Sequence, residues 1–317
     1  IRAVCHFNLL GFWAQPYDVD NNGNNSQPGV VLRSQATLNG PDGLAKPRAS
    51  VEECYDFILN DLQNAATLFE SAGPVSSIDR VSLMATYGLM ARVYFRKGAY
   101  NQASEMAKKV INSELYSLNE NVSGIYQTSG NMTSNETIFQ LVAIDPIEST
   151  VVSNYYQRSG GELFYCNPFF WNTYFGDNRG VSWFGIDGNE IFITKYDRSS
   201  AAPLNVVVLR LSEMYLIAAE ANLSEEDNGN ADEALDFYNV VRTRAAPAFP
   251  VETNTTGLLV KVQAERRREL AFEGDRYHNL RRLKMSLRNG VAYNDPSLLF
   301  KIPQEEIAGN PNIIQNP

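Results

Sequence analysis

Cysteine, histidine and charge are all scarce in this chain of 317 residues: three cysteines, two histidines and only 20% Asp, Glu, Lys and Arg together. Each scarcity removes a class of protein. Cys5, Cys54 and Cys166 are odd in number, far apart and without CxxC spacing, so they describe neither a disulfide framework nor a zinc site, and free structural thiols are expected. With His6 and His278 alone, and no HExxH, GxSxG or phosphate-loop glycine pattern, metalloprotease and serine-hydrolase chemistry lack their parts. No run approaches the roughly 18 apolar residues a membrane-spanning helix requires. Basic residues are outnumbered, 27 against 36 acidic for a net charge of −9, which argues against nucleic-acid binding built on phosphate neutralisation.

What is present describes a foldable chain. Hydrophobic residues make up 44%, with 16 Tyr, 16 Phe and 3 Trp, a composition that excludes disorder of the whole. The length corresponds to about two ordinary domains or one large one. Ile1 to Leu10 carry neither an initiator Met nor a capping residue and read as the inside of an apolar helix. An N-terminal portion with its secretion or lipidation signal is therefore expected upstream.

Ser50 followed by Glu53 is a capping-box pattern ahead of a helix over 51–69, with Tyr55, Ile58, Leu59, Leu62 and Ala66 on one stripe. A helical hairpin is predicted over 82–112. Ser82 opens its first helix, with Leu83, Tyr87, Met90 and Tyr94 on one face; Gly98 turns the chain; Ala103, Met106, Ala107 and Val110 line the second. These residues match the tetratricopeptide pattern, in which alanines permit close helix approach and Tyr94 and Tyr100 fill the space between repeats. A second hairpin over 212–246 takes Ser212 as its cap and Asn230 as the start of its partner helix, with Ala234, Phe237, Tyr238 and Val241 inward. Helical segments over 258–272 and 276–287 precede a proline-punctuated tail.

Over 116–205 the helical period vanishes. Short β-prone runs such as Thr137 to Val142 alternate with Gly, Asn, Ser and Asp. The fold class expected is therefore mostly α, with tetratricopeptide-like helical hairpins forming a scaffold and a long irregular, loop-rich excursion containing a few short strands. Loops this long in a compact protein are usually functional, and aromatic residues crowd this one.

Four blocks in order then carry a resemblance: Leu209 to Ala221 (LRLSEMYLIAAEA), Ala234 to Ala245 with its NVVRTRA, Glu265 to Arg282 with its ERRRELAFEG, and Lys301 to Pro317 with its closing QNP. Together they resemble the SusD/RagB family, glycan-binding lipoproteins of Bacteroidetes nutrient uptake, across essentially the whole chain as one unit. Asn279 stands where the family usually has Asp, and the family's final Gly-Tyr is absent. The resemblance implies a lipid-anchored protein on the outer face of the outer membrane that captures oligo- or polysaccharide and passes it to a SusC-type TonB-dependent transporter. No cofactor, no catalytic residue and no metal-ligating residue is assigned from the sequence, and a structural metal ion is left open. A protein–protein adaptor, or a peptide-capturing member of the family without a carbohydrate site, is the alternative.

A sugar ring offers an apolar C–H face and a polar rim, so flat aromatic rings beside amides are the expected site chemistry. Tyr165, Trp171, Tyr174 and Trp183 are the expected ligand platforms, with Asn172 and the Asn-rich loop over 18–25 as weaker polar candidates. Phe169, Phe170 and Phe175, lacking a polar handle, read as core. Asp177 and Arg179 resemble a recurring D-x-R of the family and read as loop-structuring. The arginine-rich stretch over 261–288 is interleaved with Glu265, Glu269, Glu273 and Asp275 and reads as a lock between helices rather than an anion patch. The acidic residues of the excursion, Asp145, Glu148, Glu162, Asp177, Asp187 and Glu190, show no arrangement that would mark a hydrolase.

Overall fold

A computed structural model describes the chain except for residues 22–23, 37–44, 74–77, 127–133, 144–155, 157–163, 197–203 and 225–228. In chain order its elements are α1 (Arg2–Trp13), α2 (Val51–Ala72), α3 (Leu83–Lys97), α4 (Tyr100–Ile111), β1 (Thr137–Leu141), α5 (Pro168–Trp171), α6 (Asn178–Ser182), β2 (Phe184–Asp187), β3 (Glu190–Ile193) and β4 (Val206–Arg210). There follow α7 (Leu211–Ser224), α8 (Ala231–Ala245), α9 (Leu258–Glu269), α10 (Asp275–Arg282) and α11 (Gln304–Gly309). The protein is mostly helical with a few short strands, the class its periodicity predicts.

Several boundaries differ from the sequence reading: α2 runs on to Ala72, and α10 ends at Arg282 rather than Leu287, with Lys284 at a left-handed φ of 53°. The helix expected to reach Phe272 stops at Glu269, because Phe272 and Gly274 adopt left-handed φ values of 65° and 81° and turn the chain into α10. Ser212 is not a cap: α7 begins one residue earlier, and the Ser212 hydroxyl instead contacts Arg210 and Glu136 inside the protein.

The chain alternates between two compact units, one comprising residues 1–72, 92–99 and 271–317 and the other 73–91 and 100–270. In the first, α1 packs on α2, with Arg2 held bidentate to Asp61 at 2.8 and 2.6 Å. The capping box forms as expected: Glu53 N–H donates to Ser50 Oγ at 3.1 Å and Ser50 N–H to Glu53 Oε2 at 2.7 Å. The closing motif of the chain also acquires a purpose here. The Asn316 amide donates to the carbonyls of Phe300 and Trp13, while its oxygen accepts from Arg48 at 2.7 Å. One buried amide thus satisfies backbone groups of two separate segments.

The second unit holds the helical hairpin α7–α8, with α4 and α9 packed against α7. Helix α7 is buried nearly all round, from Leu211 to Asn222, as a helix apolar on every face must be. Leu216 and Ala219 meet Ala234, Tyr238 and Val241 of α8 and Leu258 and Val262 of α9. Strands β1 and β4 pair antiparallel, with Leu141 opposite Val206. The irregular excursion therefore leaves and re-enters the scaffold through one two-stranded stem. Within it β2 and β3 form a hairpin closed by Gly188 at φ 58°.

Candidate functional site

The stretch from Asn167 to Trp183 folds into two single-turn helices with a sharp bend between them. Asn167 caps the first, its side chain accepting from Phe169 N–H at 2.8 Å, and Pro168 follows at the first helical position. Asp177 caps the second, accepting from Arg179 N–H at 3.0 Å. The bend requires glycine twice. Gly176 has φ +70°, and a Cβ there would lie 2.6 Å from the Phe249 ring; a Cβ on Gly180 would press on the Tyr174 carbonyl at 3.0 Å.

This bend is fastened to the scaffold by buried ions. Arg179, fully buried, bonds Asp177 at 2.7 Å, Glu265 at 2.6 Å and Glu269 at 2.5 Å. Glu269 also receives Arg210 at 2.6 Å and Arg244 at 2.5 Å, and both of those arginines reach Glu136 at 3.1 Å. Arg242 closes the ring on Asp177 at 2.9 Å. Burial alone would raise the Glu269 carboxyl, but Arg244, Arg210 and Arg179 outweigh it and hold it well below the usual carboxylate range. The same carboxylates hold Arg179 well above the ordinary guanidinium value against its own desolvation. Three of the four sequence blocks and the Asp177–Arg179 pair thus meet at one place. Such a cluster gives geometric specificity more than stability.

Above this base the bend encloses a concavity of about 390 Å³. Trp171, Asn172, Asn178 and Val181 line it, together with the buried Tyr174 and Asp177. Trp171 is half-buried, and its indole N–H is turned inward with no hydrogen-bond partner among the described residues. The Asn172 and Asn178 side chains are exposed, and their carboxamides have no partner among the described residues. Phe175 is 88% exposed and Val181 83%. Here are a flat ring, free amides that donate and accept, and apolar surface, gathered on a rigid support.

Of the expected platforms, Trp171, Tyr174 and the amide Asn172 line the concavity, whereas Trp183 and Tyr165 do not. Trp183 is fully buried: its indole N–H donates to the Val122 carbonyl at 3.0 Å and Lys195 stands 4.1 Å over its ring, so it has no face left for a ligand. Tyr174 is 3% exposed, wedged edge-on against Phe170 with its hydroxyl donating to the Arg268 carbonyl, and it serves as floor. Burial pushes its phenol far up. Tyr165 is 49% exposed but lies outside the lining. The phenylalanine reading is reversed as well, since Phe169 and Phe175 are among the most exposed side chains, while Phe170 is half-buried under the Arg267 guanidinium at 4.6 Å. Asn178 was missed; its place directly after the Asp177 cap is the one signal that could have marked it.

In the loop over 18–25, Asn25 is buried and accepts from Asp18 N–H at 2.7 Å, which makes it a turn residue. Asp187 and Glu190 face one another across β2 and β3, and Asp145, Glu148 and Glu162 lie outside the described residues. No described helix is long and apolar enough to cross a membrane.

Comparison with known proteins accords with this architecture. The chain is similar along its whole length to a SusD-like protein of Formosa agariphila, 23% identical and matched over 72% of that protein. A SusD-like protein of Bacteroides ovatus is 21% identical over 88% of this chain, which spans 57% of that protein. Among solved structures, a putative sugar binding protein of Bacteroides vulgatus superposes with a TM-score of 0.83 at 27% identity, covering 100% of this chain and 75% of the other. A SusD superfamily protein of the same organism gives 0.85 at 24% identity, covering 99% and 75%. A family model described as starch-binding and associating with the outer membrane matches residues 1–95. The SusD family model itself matches residues 125–298, more than half of the sequence and the part that contains both the ion cluster and the concavity, and the chain belongs to the SusD family.

Proposed function

We propose that this protein captures oligo- or polysaccharide on the outer face of the outer membrane, where a lipid anchor holds it, and passes the glycan to a SusC-type TonB-dependent transporter. One observation carries the binding reading. The half-buried Trp171 ring shares a concavity with the exposed carboxamides of Asn172 and Asn178, which have no partner among the described residues. A ring for the sugar face and amides for its hydroxyls are the groups that hexose recognition uses. The description of a similar solved protein as sugar binding, and the outer-membrane association in the description of the matching family model, support the same reading.

The reading is capture rather than cleavage. Glycoside hydrolysis by the common route uses two placed carboxyl groups. The carboxylate among the described lining residues is Asp177, and it is committed to Arg179 and Arg242. Delivery to a transporter rests on family membership, and co-purification of the membrane-anchored protein with an outer-membrane transporter tests it.

For binding, the test is calorimetric titration with a panel of neutral and charged oligosaccharides and of peptides. Affinities near millimolar, about 4 kcal/mol, are expected for a carrier that must release its cargo. Binding of peptides and of no saccharide would sink the glycan reading in favour of a peptide-capturing protein.

A further inference from the structure

On the reading that a glycan enters this concavity, the arrangement of charge narrows which glycan it is. Among the described lining residues there is no lysine or arginine, and Asp177 is the one carboxylate. Both of its oxygens are fully used. Oδ1 accepts from the Arg179 backbone at 3.0 Å and from Arg179 Nε at 2.9 Å, while Oδ2 accepts from Arg179 Nη2 at 2.7 Å and Arg242 Nη1 at 2.9 Å. A carboxylate has about four lone-pair sites, so none remains for a ligand ammonium.

The guanidinium groups behind the concavity are turned the same way. Arg179, Arg210, Arg242 and Arg244 direct their N–H groups at Asp177, Glu136, Glu265 and Glu269, and Arg268 binds Glu265 at 2.6 Å. An anionic ligand group would therefore lose water without gaining a cation from the described lining residues, an unfavourable exchange. The net charge of −9 opposes its approach as well. What the concavity does offer is neutral: the Asn172 and Asn178 carboxamides, which donate and accept as sugar hydroxyls do, and apolar surface at Trp171 and Phe175.

We infer that the concavity selects uncharged saccharide and discriminates against uronate-bearing or sulfated chains. The exposed Arg267 guanidinium, stacked on Phe170 outside the lining, is the rival anion contact that a test must address.

The test uses the full chain and matched polymers that differ only in charge: dextran and dextran sulfate, hydroxyethyl and carboxymethyl cellulose, neutral galactan and polygalacturonate. At least one neutral polymer is expected to bind, its charged counterpart roughly tenfold more weakly. Raising sodium chloride from about 50 to about 500 mM should change the neutral affinity by less than about twofold, since no ion pair is made. Val181→Lys, at an exposed lining position, should raise affinity for the charged counterpart roughly threefold or more by supplying the missing cation. A charged polymer that binds as well as or better than its neutral partner, and still does so in Arg267→Ala, overturns the inference and leaves glycan capture standing; charged binding that Arg267→Ala abolishes is assigned to that outer contact, and the tenfold preference must then appear in the Arg267→Ala protein. No gain from Val181→Lys also counts against it. Failure of every polymer to bind the wild-type protein overturns glycan capture and the inference together.

Discussion

Arg179 Nη1 stands 2.5 Å from Glu269 Oε2, an ion pair between residues ninety positions apart with neither side chain exposed. It is the fastening between the bend that carries Trp171, Asn172 and Asn178 and the helix α9 that belongs to the scaffold. Replacing Arg179 with Met leaves the buried Glu265, Glu269 and Asp177 each short of one cationic partner. A loss of about 3–5 kcal/mol is expected in urea unfolding. Arg179→Lys should recover only part of it, because an ammonium cannot reproduce a fork shared among three carboxylates.

Trp171 and Trp183 should separate binding from stability. Trp171→Ala is expected to weaken glycan affinity roughly tenfold, in line with ~1 kcal/mol or more for a stacked ring, and to leave the unfolding midpoint nearly unchanged. Trp183→Ala removes a fully buried ring and should cost about 3–5 kcal/mol of stability. Equal losses of binding with no change in stability for both would contradict this division.

Acid should act on Glu269 through the sign of its shift. Its folded carboxyl is held well below the usual range by three arginines against the cost of burial, while in the unfolded chain it titrates near 4.3. The stabilisation is fully present above about pH 5 and is lost as pH falls toward the folded value, because the unfolded chain then binds the proton first. Urea midpoints measured from neutral pH down to pH 3 should show the fall, and Glu269→Gln should flatten it while lowering stability at neutral pH.

His278 should add a separate step at higher pH. Burial, with Arg96, Arg281 and Arg92 nearby, pushes its imidazole down to about 2, against about 6.5 when unfolded. Stability is therefore complete above about pH 6.5 and declines below it as the unfolded chain takes up the proton. Between about pH 6.5 and 5, where carboxylates contribute little, His278→Gln should remove the pH dependence of the urea midpoint.

The tail offers a check independent of the site. Asn316→Ala leaves the Phe300 and Trp13 carbonyls and Arg48 each short of a partner. Unfolding should become easier by about 1–3 kcal/mol, with no change in glycan affinity.

Much of the scaffold was legible because helices write their packing into a period. The stripe over 51–69, the capping box at Ser50 and the Asn230 cap are all found at their expected residues. The interleaved arginines and glutamates between 261 and 288 could be recognised as a lock. Their strongest partners could not, since Arg179, Arg210 and Arg244 come from elsewhere in the chain.

In the excursion the sequence has no period, and the reading of single rings failed in both directions. Trp183 was expected outside and is buried, whereas Phe175 was expected inside and is 88% exposed. The alternation of apolar and polar residues tells which face of a regular helix or strand is covered, because one residue's direction dictates the next. In a bend made by Gly176 and Gly180 it does not. By itself, then, the sequence determined a mostly helical SusD-family scaffold and the aromatic and amide chemistry its excursion could offer. Which rings face the concavity was decided only by the tertiary structure, where buried arginines and carboxylates from distant segments hold the bend in one orientation.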